Sequence, residues 1–232
     1  MQIAIMQPYF FPYIGYFQLI SAVDKFIFLD DVAFIKKGWI NRNKINLHGK
    51  EYLFSIPLKH LSQNKTIAET EISYDHEWIE KLTSNIRLAY MHSPFFEPVF
   101  NMICSLLAER PEKINWLAQQ SIKATCNYLT LDSRMSCSTE MNLDNSLKGE
   151  ARIIEICLKE GATAYLNLPG GKSLYKKAAF AERGIELLFL DPMDITYPQK
   201  SQAFIRGLSM IDVLMNNSPG DVKQLLNQYT LS

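Results

Sequence analysis

Cysteine is scarce in this chain. Its four copies are Cys104, Cys126, Cys137 and Cys157, and no two lie within ten residues of each other. No CxxC pair and no Cys/His ligand spacing is present, which argues against a zinc site, and no metal ligand set is read from the sequence. Long apolar runs are also missing. None approaches the roughly 20 residues a membrane-spanning helix needs, so no membrane insertion is expected. Charge of one sign is not in excess, since 24 basic residues balance 24 acidic ones. No global field draws the chain to nucleic acid or to a membrane surface. A secretory opening is not read either, because the first apolar stretch lacks a basic flank and is broken by Gln7, Pro8 and Pro12. Scattered cysteines and this opening fit a reducing cytoplasm. No Gly-x-Ser-x-Gly elbow occurs, so a serine hydrolase of that type is not suggested. The histidines, His48, His60, His76 and His92, are scattered and form no constellation.

The 232 residues suffice for a full core, with 47% hydrophobic and 21% charged residues typical of a globular chain. One α/β domain is the default. Ile3–Met6 reads as a buried strand, Pro12 as the entry to a helix over about Tyr13–Ala22, and Phe26–Leu29 as a second strand. Lys50–Pro57 reads as extended, and Ile67–Ser73 as a weaker extended segment. Asp75 or His76 opens a helix over about Glu77–Tyr90. Phe95–Ala108 follows, and Pro111 starts a helix running to about Tyr128. Arg134–Cys137 is a short strand. Then come a helix over Gly149–Glu160 stopped by Gly161, a strand over Ala162–Leu166, a Pro169–Gly171 loop, a helix over Lys172–Glu182 capped by Gly184, and a buried strand over Ile185–Leu190. Ala203–Met215 and Asp221–Tyr229 close the chain as helices. This order predicts a Rossmann-like α/β fold with a parallel sheet, carrying a helical insertion over about residues 75–130.

Three stretches carry chemistry. Pro8–Tyr16 packs aromatic rings, two prolines and Gly15 directly after a strand. Rings there can stack on a base or sugar, and the hydroxyls of Tyr9, Tyr13 and Tyr16 can hydrogen-bond; Gln7 stands at the strand end. The competing reading is an apolar plug under the sheet edge. Gly15 removes a Cβ where a ligand or a strand approaches. Asp30 and Asp31 end the second strand. Neighbouring residues of a strand point to opposite faces, so one carboxylate is a base or ligand acceptor and the other a cap or turn residue. The third stretch, Lys36–Lys44, mixes cations, amides and an indole. Lys37 and Arg42 suit a phosphate or carboxylate, and Asn41 and Asn43 can donate and accept, with Trp39 among them. A solvated loop is the bland alternative. Around the later strand, Tyr165, Asn167, Gly170, Gly171 and Tyr175 cluster. A diglycine turn before a helix can cradle an anion or be a simple tight turn. Walker spacing fails, because its first glycine would fall on Leu166. Cys157 lies in an apolar helix and reads as core.

The strand–loop–helix opening resembles that of the nucleotidylyltransferases. In that superfamily a His-x-Gly-His motif touches phosphates; here Tyr13-Ile-Gly-Tyr16 occupies its place, and both histidines are missing. A broader resemblance is to the WbqC-like protein family. It rests on MQPYFFPYIGYF from Met6 to Phe17, on FLDD over Phe28–Asp31 with WINRN over Trp39–Asn43, and on Ile156-Cys157 before GATAYL over Gly161–Leu166. The Gly170-Gly171 loop and GLSMIDVLMN over Gly207–Asn216 complete it. The resemblance implies a link to bacterial surface-polysaccharide (O-antigen, lipopolysaccharide) biosynthesis and the transfer of glycine or another aminoacyl group onto a sugar.

These readings lead to a transferase that places an aminoacyl or acyl group on the amine of an amino sugar, free or linked to a nucleotide. Asp30, Asp31 and Tyr16 are the catalytic candidates. Gln7, Tyr9, Tyr13, Gly15, Lys37, Trp39, Asn41, Arg42, Asn43, Tyr165, Asn167, Gly170, Gly171 and Tyr175 are the substrate-binding candidates. The donor is a carrier-protein thioester or an aminoacyl adenylate, which makes a carrier protein a partner beside the small-molecule sugar or nucleotide sugar. The alternatives are a nucleotidylyltransferase-like enzyme and a non-catalytic sugar-nucleotide-binding protein. Neither a nucleic-acid partner nor a particular oligomer is implied.

Overall fold

The computed structural model describes residues 1–60, 65–75, 77–201 and 203–232. The elements that build the central sheet begin with β1 (Gln2–Met6), α1 (Ile14–Ser21) and β2 (Lys25–Phe28). A hairpin follows, β3 (Arg42–Leu47) and β4 (Lys50–Ser55), then three helices, α2 (Trp78–Tyr90), α3 (Phe96–Ala108) and α4 (Ile114–Tyr128). The chain returns to the sheet as β5 (Arg134–Cys137), α5 (Gly149–Lys159), β6 (Ala164–Asn167), α6 (Lys177–Ala181) and β7 (Glu186–Pro192). It closes with α7 (Met210–Asn216), α8 (Pro219–Leu226) and β8 (Tyr229–Leu231).

The sheet has the order β5-β2-β1-β6-β7-β8. Every pairing in it is parallel except β7 with β8, which is antiparallel. This is the expected Rossmann-like α/β architecture, with an antiparallel edge strand that the sequence did not announce. Period-two alternation divides the core. Ile3, Ile5, Ile27, Tyr165, Leu187 and Phe189 pack under α5 and α6 with Ile153, Ile156, Cys157 and Phe180. Ala4, Phe26, Phe28 and Leu166 face the opposite way, into the larger cluster built with α1, α4, α7 and α8. Burying each such large side chain is worth roughly 1.5–3 kcal/mol, so the two faces together fix the register of every strand. Helix α1 is buried from Gly15 to Ile20, as an almost wholly apolar helix must be. Its one polar core side chain, Gln18, donates to the carbonyls of Leu225 and Gln228 at 3.1 and 2.9 Å.

The structure corrects several expectations. The basic stretch after Asp31 is a loop only as far as Asn41; Arg42 and Asn43 already belong to β3. A two-residue turn joins β3 to β4, with His48 and Gly49 both left-handed at φ 55° and 76°, as a tight hairpin requires. Residues 67–73 form isolated bridges rather than a strand, pairing Leu58 with Ile72 and Glu71 with Lys113. Helix α4 starts at Ile114, not Pro111. The helix read over Lys172–Glu182 contracts to the short α6, and the loop read at Pro169–Gly171 is a 3-10 turn. The helix read over Ala203–Met215 begins only at Met210, because Gly207 is left-handed at φ 68° and Ser209 caps the first turn by accepting from the Ile211 N–H. Helix α2 begins at Trp78 with Glu77 before it, rather than being opened by Asp75; the alternative opening residue, His76, lies outside the described residues.

Candidate functional site

The chain leaves β1 toward β2 on one side of the sheet and later, from β5, reaches β6 on the other side of β1. That reversal makes a switch point, and open α/β sheets bind ligands in the crevice beyond the strand ends there. Gln7, Asp30, Asp31 and Asn167 all stand at those carboxyl ends.

Strand alternation sends the two aspartates apart. Asp30 continues the Phe26–Phe28 face and is 0% exposed. Its carboxylate accepts from Asn115 Nδ2 (2.9 Å) and Gln119 Nε2 (3.2 Å) of α4. The N–H and hydroxyl of Thr139 add two more bonds, at 3.0 and 3.1 Å. All of these partners are neutral. Ser138 Oγ sits between the aspartates, 2.6 Å from Asp31 Oδ1 and 3.1 Å from Asp30 Oδ1. Asp31 continues the Ile27–Leu29 face, under α5. Its other oxygen takes the guanidinium of Arg152, which also donates to the Asp144 carbonyl at 2.7 Å. Arg152 is only 7% exposed, and Glu155 lies 3.6 Å from it.

Asp31 and Arg152 form one wall of a crevice of about 470 Å³. Gln7, Lys148, Gly149 and Tyr175 line the rest, above Leu29 and Ile153. The first turn of the 11-residue α5 opens here, and its N-cap residue, Lys148, makes no side-chain cap. The crevice therefore joins a carboxylate with free acceptor positions, two cationic side chains and a helix N-terminus.

The aromatic opening serves a different place. Phe10, Phe11 and Tyr16 are fully buried, and the Tyr16 hydroxyl donates to the Gln7 carbonyl at 2.9 Å. Burial holds the Tyr16 phenol well above its ordinary pKa, so it remains a neutral donor inside the core. Phe11 is left-handed at φ 43°. Its N–H donates to Ser121 Oγ (2.9 Å), and its carbonyl accepts from Asn43 Nδ2 (2.6 Å) and Ser209 Oγ (2.7 Å). Such a strained residue persists because its surroundings over-determine it. Tyr9, half-buried against the core, and the exposed Tyr13, with Pro12, Trp39, Asn43 and Gly207, line a separate cleft of about 240 Å³. Gly15 makes room for the Tyr13 ring, since a Cβ there would lie 2.6 Å from its Cε2.

The model of the WbqC-like protein family matches residues 7–224, nearly the whole chain. The chain belongs to the WbqC-like family. Among curated proteins it is similar to the uncharacterized protein Rv1507c of Mycobacterium tuberculosis (strain ATCC 25618 / H37Rv), 27% identical over 218 residues and covering 93% of each chain. No solved structure matches it.

Several residues of this WbqC-like chain that read as ligand contacts are tied into the fold. Asn41 Nδ2 donates to the Ile56 carbonyl at 2.7 Å, and the Asn43 amide is spent on Phe10, Phe11 and the Lys44 N–H. Arg42 holds its own loop through the carbonyls of Gly38 and Lys37. Lys37 itself is exposed, with φ 62°. Tyr165 is buried against Phe180, with ring centroids 5.5 Å apart, and its hydroxyl accepts from Asn167 Nδ2 at 3.0 Å. Gly171 is needed because a Cβ would meet that Asn167 nitrogen at 2.5 Å. Gly170 is exposed, and a Cβ there would point into open space, so no close approach requires a glycine. No helix begins behind this diglycine turn until Lys177, so the anticipated anion cradle has no helix start beneath it. Of the predicted residues, Gln7, Asp31 and Tyr175 meet in the crevice, and Tyr9, Tyr13, Trp39 and Asn43 meet in the cleft. Arg152 and Lys148 were missed. Arg152 left a signal, because it falls on the buried stripe of α5 with Ile153, Ile156 and Cys157. A charge on such a stripe needs a partner.

Proposed function

We propose that the chain is a transferase of bacterial surface-polysaccharide (O-antigen) assembly. It places glycine or another acyl group on the amine of an amino sugar carried on a nucleotide, in the cytoplasm. The observation that carries this reading is the switch-point crevice with Asp31 set against Arg152 and Lys148. A substrate with an amine at one end and a phosphate at the other needs both signs of charge at close range. Asp31 receives the amine, Lys148 and Arg152 attract the phosphates, and Gln7 and Tyr175 reach sugar hydroxyls. The amine nitrogen attacks the acyl carbonyl carbon of a carrier-protein thioester, the C–S bond breaks, and the proton shed by nitrogen passes through Asp31 to the leaving thiolate. An aminoacyl adenylate as donor breaks its C–O bond instead. The family's suggested role supports the same chemistry. The nucleotidylyltransferase alternative draws less support, since Tyr16, at the second histidine position, is sealed in the core.

The test is a thermal-shift screen with nucleotide-linked amino sugars, followed by mass spectrometry of the sugar after incubation with a glycyl thioester. The expected result is a rise in Tm that Arg152→Met abolishes, and a mass gain on the amine. A rise in Tm without any turnover would favour the non-catalytic binding protein, and no rise with any such sugar would sink the assignment.

A further inference from the structure

The cleft at the aromatic opening is a site in its own right. Tyr9, Tyr13 and Trp39 converge on it from two segments, with Pro12 closing one side. Tyr13 keeps 36% of its surface exposed and Trp39 keeps 42%, which is costly for large rings that could have been turned inward. The rings are held in place. Gly15 gives the Tyr13 ring its room, the buried bonds of Phe11 fix the loop between Tyr9 and Tyr13, and Arg42 pins the loop that carries Trp39. Tyr16, Tyr74, Tyr90 and Tyr197 all place their hydroxyls on protein acceptors. The hydroxyls of Tyr9 and Tyr13 have no hydrogen-bond partner among the described residues. Burial raises both phenols, so both stay protonated and able to donate at neutral pH.

The volume, about 240 Å³, is below the roughly 300–1,000 Å³ of a site for a whole drug-sized ligand and suits one ring system. The polarity narrows the ring. A pyranose would bring several hydroxyls into a cleft whose one amide, on Asn43, is already spent; unmatched polar groups are expensive to bury. A flat heteroaromatic ring stacks on the indole and phenols and asks for few hydrogen bonds. The surroundings supply the charge. Lys36 and Lys37 are exposed on the loop that carries Trp39, while Arg42, 5.7 Å from the Trp39 ring centroid, is held by that loop's carbonyls and Lys44 is paired with Glu51 at 2.6 Å.

We infer that this cleft binds the base of a nucleotide, with the phosphate held outside it by Lys36 and Lys37. This goes beyond the reading of the crevice, and either can fail while the other stands. The probes are free nucleoside 5′-monophosphates of uridine, cytidine, adenosine and guanosine, followed by quenching of tryptophan fluorescence and by calorimetry. At least one should bind saturably, and Trp39→Ala should weaken that binding about tenfold or more, as loss of one base-stacking partner does. Tyr13→Phe, which keeps the ring and the fold, should weaken it several-fold, and high salt should weaken it in both proteins. Arg152→Met in the crevice should leave monophosphate binding unchanged while it abolishes the thermal shift by amino-sugar ligands. The inference is overturned if no monophosphate binds, if Trp39→Ala binds as well as the parent, or if a sugar phosphate lacking the base binds more tightly than the corresponding free nucleoside.

Discussion

Two sides of one strand end treat the same functional group in opposite ways. On the α4 side, Asp30 is sealed off and surrounded by neutral donors from Asn115, Gln119 and Thr139. On the α5 side, Asp31 borders the crevice and faces a cation, Arg152, that is itself almost buried. The difference shows how a fold separates structure from chemistry at adjacent residues. A carboxylate enclosed by fixed donors has every lone pair assigned and orders the α4–β2–β5 junction. A carboxylate with one side open keeps acceptor capacity for something that enters from solvent.

The same substitution at both positions tests that division. Asp30→Asn replaces one carboxylate oxygen with an amide nitrogen, and either choice sets N–H against N–H, from Thr139 on one side or from Asn115 and Gln119 on the other. The expected loss in urea denaturation is about 3 kcal/mol, the largest effect anticipated. Asp31→Asn keeps an oxygen for Arg152 or Ser138 and has the crevice into which its amide can turn. Its loss of stability should be about 1 kcal/mol, while affinity for a nucleotide-linked amino sugar falls at least tenfold in calorimetry. Equal losses of stability, or an Asp31→Asn protein that binds and turns over like the parent, would break the comparison.

The opposite facing of Asp30 and Asp31 was legible in the sequence, because period two along β2 leaves no other outcome. The parallel sheet and most helices were legible for the same reason: apolar spacing and Gly or Pro stops near Gly161 and Gly184 are local signals. What could not be read were the partners of polar side chains. Asn41 and Asn43 look like ligand contacts in a basic stretch, yet their partners are carbonyls of Ile56, Phe10 and Phe11, brought near only by tertiary folding. Arg42 looks like a phosphate grip and instead holds its own loop. The helix expected over Ala203–Met215 failed because apolar periodicity ran through Gly207, whose positive φ ends regular structure there. The crevice itself was half legible: Gln7, Asp31 and Tyr175 stood out by type and place, whereas Arg152 hid within an otherwise apolar stripe.

A subtler probe of the sealed side is the thiol of Cys137, which donates to Gln119 Oε1 at 3.3 Å and so touches the cage around Asp30. Burial first, and then the charges of Asp30 and Glu140, push this thiol up from 9.0 to about 11. The sign follows from linkage. Between those values the unfolded chain releases the thiol proton and the folded chain keeps it, so raising the pH draws the equilibrium toward the unfolded state. The contribution is intact below about pH 9 and is lost as pH climbs toward 11. At pH 10 it amounts to about 1 kcal/mol. Cys126 and Cys157, buried and pushed to about 12, add losses of the same sign. Urea midpoints measured from pH 8 to pH 10.5 should therefore decline in the parent and decline less steeply in Cys137→Ala, although that variant starts lower at pH 8 for want of the sulfur's packing. Asp31→Asn, on the open side, should leave the slope untouched. A Cys137→Ala slope identical to the parent's would mean that the α4 side admits water to the thiol, and that Asp30 is not sealed in the way its hydrogen bonds require.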